Sequence, residues 1–401
     1  MPELTTGEVP FSEAIDFFKA KLNLPSKSWD EMVGSIHAKG FTVAGATKMA
    51  LLDDLRGAVN AAIESGETIN DFRDRFDKIV QQHGWDYKGQ RGWRTRVIYD
   101  TNLRTARMAG RWAQYQRVKD RRPYLQYQTA GDARVRPEHA SWDNTVLPID
   151  SPWWASHYPP NGWGCRCTTR SLSERQLQRE GKQVAPDPTV ERTERLNPET
   201  GKVFPPTPVG IDTGWDYNVG QAWLGPDQAL AERVMRLPKP WRDQALRQAV
   251  SVASDSAPSF GVWAERVLTS NTSGELRTAG WLTGEVLDRL DAVGATVSTP
   301  MIAARDIDLR SMLDVPTAGA VPTAQTIISL PTLLANPAAV LLDTRPEADT
   351  LLYVLKTDKK ANRLVIRIPL TTNPTGANPT ASAAIVPTTT LRRYPRLSGA
   401  L

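Results

Sequence analysis

Four side chains within one short stretch could together hold a metal ion: His139, His157, Cys165 and Cys167. Imidazole nitrogens and thiolates are the donor set of a Cys₂His₂ zinc centre, and a segment with little apolar core is where a metal staple helps. Cys-x-Cys is tighter than the usual Cys-x₂-Cys, so the alternative is a reduced, buried thiol pair beside hydrogen-bonded histidines. Nucleophilic thiol chemistry is the weaker alternative: Cys, His and Asp are all present, but the sulfur would need an open cleft and a base or helix N-terminus beside it. A disulfide between cysteines one residue apart would close a strained ring, and these are the chain's two cysteines. His-Glu-x-x-His is absent, which argues against a metallopeptidase. Asp132, Arg134, Arg136 and Arg166 have the types for a buried carboxylate–guanidinium network, because a planar guanidinium can grip a carboxylate through two hydrogen bonds. Pro159, Pro160 and Gly162 would set a rigid turn. Trp153, Trp154 and Trp163 would supply an aromatic core where periodic aliphatics are scarce.

The elements that must position these groups change along the chain. Residues 11–120 read as helical. Leu51, Leu52, Leu55, Ala58, Val59, Ala62 and Ile63 form an i, i+3, i+4 stripe. Ser28-x-x-Glu31 and Thr68-x-x-Asp71 have capping-box spacing, and Gly66 and Gly84 stand where C-terminal caps belong. A further helix is expected from about Arg91 to Lys119, ended by Pro123. Tyr124 to Thr129 alternates as a short strand, and the rest of 124–180 is a loop-rich module. Residues 181–228, rich in Pro, Gly, Thr and charge, read as a linker or an arm packed on another body. Residues 229–401 read as helices around 228–235, 241–250, 262–268 and 281–290, then strands at 326–330, 339–342, 351–355, 364–369 and 383–386. Thr371 to Ser382 reads as a mobile hairpin tip. The fold class is therefore multidomain α+β: a helical domain 1–123, a Cys/His/Trp module 124–180, the arm, and a C-terminal α+β domain with a small antiparallel sheet.

Composition sets the limits. Hydrophobic residues at 40% and charged residues at 23% exclude a disordered chain. No run of about 20 apolar residues occurs, so no transmembrane helix or membrane partner is expected. Met1 to Glu13 lacks the basic and apolar regions of a secretory signal. Between Arg91 and Arg122 ten Arg or Lys stand against Asp100 and Asp120, so this segment carries +8 of a net +5 and the remainder sums to −3. One basic element suggests contact with nucleic acid or with an acidic protein surface; a solvated helix face is the plain alternative.

The motif Asp132-x-Arg134-x-Arg136-x-x-His139, then Pro152-Trp153-Trp154, then Tyr158-Pro159-Pro160-Asn161-Gly162-Trp163-Gly-Cys165-Arg166-Cys167 resembles the phage Mu protein F-like head morphogenesis family, the minor capsid proteins. Trp93-Arg94, Ile98-Tyr-x-Thr101-Asn102-x-Arg104, Ala109-Gly110-Arg111 and Gly214-Trp-Asp-Tyr-Asn218 extend the likeness over about residues 10–225. The resemblance implies a structural protein of a tailed bacteriophage virion, acting in procapsid assembly near the portal vertex. Its implied partners are the portal protein, the major capsid protein or scaffold, and packaged double-stranded DNA. Arg94, Arg96, Arg104, Arg107, Arg111 and Arg117 are the candidates for those contacts. Ile327 to Pro337, Leu352-Tyr353 and Leu364 to Ile368 are loosely similar to the barnase/EndoU/colicin/RelE-like nuclease folds of phages. That alternative would be a toxin-like RNase. It lacks any histidine after His157 to give and take protons, and Lys356, Lys359, Arg367, Asp306 and Arg310 would have to serve. A degenerate, structural domain is the expectation.

Overall fold

A computed structural model describes residues 11–197, 200–269, 275–314, 323–345, 349–356, 361–371 and 377–401. The chain forms two compact units, Met1–Leu224 and Gly225–Leu401.

The first unit opens with α1 (Ser12–Lys19), then a two-residue parallel bridge between β1 (Leu22–Asn23) and β2 (Gly40–Phe41). Three long helices follow: α2 (Met49–Ser65), α3 (Ile69–His83) and α4 (Arg91–Arg117). The apolar stripe of α2 is buried as its spacing requires, and Gly66 ends the helix at φ 67°, a conformation glycine adopts without a Cβ penalty. Thr68 and Asp71 make the expected capping box on α3. Ser28 makes none: its hydroxyl bonds Asp30, and a single 3₁₀ turn, Trp29–Glu31, replaces the expected helix start. Gly110 on α4 lets α1 approach, since a Cβ there would lie 2.8 Å from the Phe11 ring and 2.9 Å from the Ala14 nitrogen.

The module follows without a break in packing. β3 (Tyr124–Gln128) is the centre of an antiparallel sheet ordered β4-β3-β5, with β4 at Val146–Pro148 and β5 at Thr168–Leu172. Short helices α5 (Pro137–Ser141) and α6 (Trp154–His157) lie in the connections, and α7 (Glu174–Arg179) follows β5. Leu52, Phe72, Phe76 and Trp112 of the helices share one core with Leu125, Tyr127, Leu147, Trp154 and Tyr158 of the module. The helical region and the module, distinct in composition, are thus one body. The Pro/Gly-rich stretch belongs to it as well. It forms a hairpin of β6 (Arg192–Leu196) and β7 (Val203–Pro208), then α8 (Val219–Leu224). Gly220 of α8 sits against the Trp112 side chain where no Cβ would fit. The arm therefore ends at Leu224, and residue 228 already starts the next helix.

The second unit contains α9 (Gln228–Met235), α10 (Lys239–Asp255), α11 (Ala257–Thr269), β8 (Leu276–Trp281), α12 (Gly284–Ala292), β9 (Met301–Arg305) and α13 (Asp306–Asp314). Then come α14 (Ala324–Ile328), α15 (Leu330–Ala335), β10 (Ala339–Asp343), β11 (Thr350–Val354), β12 (Asn362–Pro369), β13 (Asn378–Pro379), β14 (Ser382–Pro387), α16 (Thr388–Leu391) and β15 (Arg396–Gly399). An antiparallel sheet ordered β14-β12-β11-β10-β15 forms as expected from the short, closely spaced β-rich runs, and Ala339, Leu341, Leu352, Val354 and Val365 fill its core. The protein is multidomain α+β.

Three expectations for this unit are corrected. Residues 326–330 are helical, because Thr323 caps α14 and Pro331 occupies the first turn of α15. Trp281 ends a strand rather than opening a helix, and Thr283 caps α12 behind it. In the Thr371–Ser382 tract, Asn378 and Thr380 are fully buried, with Asn378–Pro379 pairing parallel to β9; residues 372–376 lie outside the described residues. No helix among the described residues is long and apolar enough to cross a membrane.

Candidate metal centre

His139 is placed by α5, whose first turn carries Pro137 and whose N-cap residue Arg136 is extended. Cys165 and Cys167 lie on the chain leading into β5. Their i, i+2 spacing fits side chains that share one side of an extended chain, with Arg166 on the other. The structure brings the three donors together. Cys165 Sγ is 3.8 Å and Cys167 Sγ 3.5 Å from His139 Nδ1, and all three ligand atoms lie within 4.8 Å of one another. All three residues are buried. The other ring nitrogen, Nε2, donates to the Gly210 carbonyl at 2.9 Å, and the Trp142 ring stacks on the imidazole at 4.9 Å. Both cysteines are free.

The thiols influence each other strongly. A hydrogen bond from Cys167 stabilises a Cys165 thiolate against the cost of burial, and with help from His139 pulls its pKa well below that of a free thiol. The same bond, together with burial, pushes Cys167 up. Burial works against charge on His139, but the hydrogen bond with Cys165 outweighs it and the ring's pKa is raised.

His157 does not join them. Its Nδ1 faces the Ser156 hydroxyl at 3.0 Å, and its ring stacks on Trp153 at 4.4 Å. The Cys₂His₂ expectation becomes Cys₂His. Burial holds His157 down at about 4, and does the same to His37, whose Nε2 bonds the Met32 carbonyl. Both rings are neutral in the fold and charge on unfolding. Their stabilisation is therefore full above pH 6.5 and is lost as pH falls toward 4. The unfolding free energy of the first unit, read from denaturant titrations, should drop between pH 7 and pH 5 by an amount on the order of a few kcal/mol. His139, raised by Cys165, works in the opposite direction, so a flat profile in a folded His139→Asn background would mean that His37 and His157 titrate normally in the fold.

The carboxylate–guanidinium network also differs from expectation. Asp132 pairs with Arg166 at 2.5 and 2.7 Å and with Arg134 at 3.2 Å, but on the surface rather than buried. Arg166 holds the Asp132 carboxyl well below the usual range. Arg136 instead grips Asp212 through two bonds of 2.7 and 2.9 Å and reaches the Trp163 carbonyl at 3.1 Å. Asp212 closes the ring by accepting the Trp163 N–H at 2.8 Å. A Cβ on Gly162 would collide with this pair, which is why glycine stands there. Asn161, buried behind the turn Pro159–Pro160, accepts the Tyr127 hydroxyl at 2.9 Å. Asp212 and Gly210 were invisible in the sequence: they sit singly in a Gly/Thr tract over 70 residues from their partners.

The basic helix is mostly spent internally. Arg104 donates to the carbonyls of Gly164 and Cys165, at 3.0 and 2.7 Å, and Arg111 to the Thr169 carbonyl at 3.0 Å. Arg94 is buried against the Ala44 carbonyl, and Arg117 pairs with Glu13. Arg96 and Arg107 remain exposed.

Residues 53–170, from α2 to β5, match the model of the family described as Phage Mu protein F like protein. The chain is 33% identical over 404 residues to the putative capsid assembly protein F of Escherichia phage Mu, covering 92% of this chain and 90% of that protein. The chain belongs to the phage Mu protein F like family. It is also 28% identical over 370 residues to the Mu-like prophage FluMu F protein of Haemophilus influenzae, covering 85% of this chain and 89% of that one. No solved structure is a significant match. In this Mu F-like chain the family match contains all three candidate ligands, whereas Gly210 and Asp212, which orient them and their turn, lie beyond it.

In the second unit three of the five residues considered for RNA cleavage make scaffold contacts. Asp306 is buried and accepts backbone N–H groups from Glu275 and Ile307, at 3.2 and 2.7 Å. Arg310 donates to the Val267 carbonyl at 2.9 Å, and Arg367 meets Asp343 at 3.4 Å. Lys356 is exposed, and Lys359 lies outside the described residues.

Proposed function

We propose that the chain is a non-enzymatic, structural protein of bacteriophage head assembly, residing in the virion head close to the portal vertex. The observation that carries this reading is the full-length similarity to a protein named putative capsid assembly protein F. The motif geometry supports it, because Arg136, Asp212, Asn161 and Tyr127 are consumed in holding one another. In this reading docking on the portal, or on capsid or scaffold subunits, uses the exposed side of α4. Arg96 and Arg107 are eleven residues apart, three helical turns, so they share a face. Trp93 stands exposed one turn before Arg96. The same face could meet packaged DNA, and salt separates the cases: phosphate contacts weaken steeply with ionic strength.

The full chain co-expressed with the portal protein of its own phage should co-purify with it. The Arg96→Glu/Arg107→Glu variant should lower the recovered complex by roughly tenfold, as charge reversal at a complementary interface does. Absence of a complex at low salt would overturn portal docking, and an unaffected variant would overturn the role of α4. Purified full chain should leave single-stranded RNA intact. Cleavage abolished by Arg367→Ala or Lys356→Ala would restore the RNase reading.

A further inference from the structure

We propose that His139, Cys165 and Cys167 bind one zinc ion, with a solvent molecule completing the coordination. Zinc bonds of about 2.3 Å to sulfur and about 2.0–2.1 Å to nitrogen give tetrahedral edges of about 3.8 Å between sulfurs and about 3.5 Å between sulfur and nitrogen. The two sulfur–Nδ1 distances, 3.5 and 3.8 Å, lie within about 0.3 Å of the sulfur–nitrogen edge, and all three donor atoms lie within 4.8 Å of one another, so small side-chain adjustments would close them on one ion.

The imidazole is oriented for this task. A carbonyl can only accept, so the Gly210 contact fixes the proton on Nε2 and leaves the Nδ1 lone pair directed at both sulfurs. That is the arrangement by which a second partner prepares a histidine ligand. Without a metal, the three donor atoms crowd together and must share the few protons between them. With Zn²⁺, two thiolates balance the ion's charge and all three donors are used; binding then releases the thiol protons. Two thiolates and an imidazole form a soft to borderline set that suits zinc rather than magnesium or calcium.

The fourth position follows from the surroundings. The three ligands border a cavity of about 120 Å³ whose other walls include Arg134, Arg136 and Arg166. That space admits a water molecule, which needs only a fraction of it. His157, turned to Ser156 and Trp153, is not a ligand.

The test uses the full chain, purified on a histidine-free tag without chelator. Metal analysis should find about one zinc per chain, because thiolate sites retain the ion through purification. Cobalt in its place should give thiolate-to-metal charge-transfer absorption and the visible bands of a tetrahedral site. Cys165→Ser and Cys167→Ser should each reduce bound zinc by about tenfold or more, while His157→Asn keeps it. If the cysteine variants do not fold, the cobalt spectrum of the unaltered chain decides alone. A chain that carries no zinc and takes up no cobalt would overturn the proposal. So would a folded His157→Asn variant that loses the metal.

Discussion

Replacing Trp154 by alanine should cost the first unit about 3–5 kcal/mol, the range for emptying a large aromatic site in a core that cannot collapse. Trp154 is 0% exposed. Its ring meets Trp153 edge-on at 5.0 Å and Tyr158 at 6.5 Å, and its indole N–H donates to the Pro148 carbonyl at 3.0 Å. Truncation would open a cavity where the helices and the module share their core, and would leave that carbonyl without its donor. Trp163, from the same motif, is the control. It is 43% exposed and touches Trp215 edge-on at 5.1 Å, so Trp163→Ala should cost about 1 kcal/mol or less. Urea unfolding, with hydrogen exchange read on peptides from residues 1–224, would separate the two. Equal losses would mean that Trp154 is not the core residue its burial indicates.

That contrast shows what the sequence carried. The long helices of the first unit were legible because several local signals agreed: an apolar stripe, the Thr68 cap, and glycines at 66 and 84. Agreement between levels is what makes a segment readable. Ser28 had the capping spacing without a periodic apolar run behind it, and it caps nothing. The run around Ile327 was rich in β-branched residues, yet a short apolar run reads equally as strand or buried helix, and Thr323 decided it. Strands β8 and β9 were missed because Ala279-Gly280 and Ala303-Ala304 lower their strand propensity.

At the candidate site the ligand types were legible and the ligand set was not. His139 and His157 both sit on short helices next to tryptophan. What separates the candidate ligand from the packing residue is one long-range contact, the Gly210 carbonyl that turns His139 Nδ1 to the sulfurs, whereas His157 is held by its sequence neighbours Ser156 and Trp153. The basic helix teaches the same lesson about charge. Ten cations in 32 residues suggested an external partner, but guanidinium groups are also the natural donors for carbonyls left unpaired in a loop-rich module. Arg104 and Arg111 satisfy Gly164, Cys165 and Thr169, so they hold the thiol loop and β5 against α4.

Asn378 in the second unit should prove as costly to replace as a core hydrophobe. It is 0% exposed, and its amide nitrogen donates to the Thr299 and Met301 carbonyls at 2.8 and 3.1 Å. Its oxygen accepts the Thr371 N–H at 3.0 Å. No other side chain offers two donors and an acceptor in that shape. Asn378→Ala strands three backbone groups away from water. At roughly 1–3 kcal/mol for each unsatisfied group, partly relieved by water entering the space left behind, the loss should be about 3 kcal/mol or more. Asn378→Asp tests the direction of the bonds. Its carboxylate keeps the Thr371 contact but turns a negative charge on two carbonyl oxygens, so the folded state should raise its pKa. A raised carboxyl pKa means that the folded state binds the proton more tightly, so this variant should gain stability as pH falls toward 4. There the protonated acid can again donate to one carbonyl. Unfolding of both variants, followed by hydrogen exchange on β9 at pH 7 and pH 5, reads this directly. If Asn378→Ala costs less than about 1 kcal/mol, or the aspartate variant is no more stable in acid, the amide is not the clamp that joins this tract to β9.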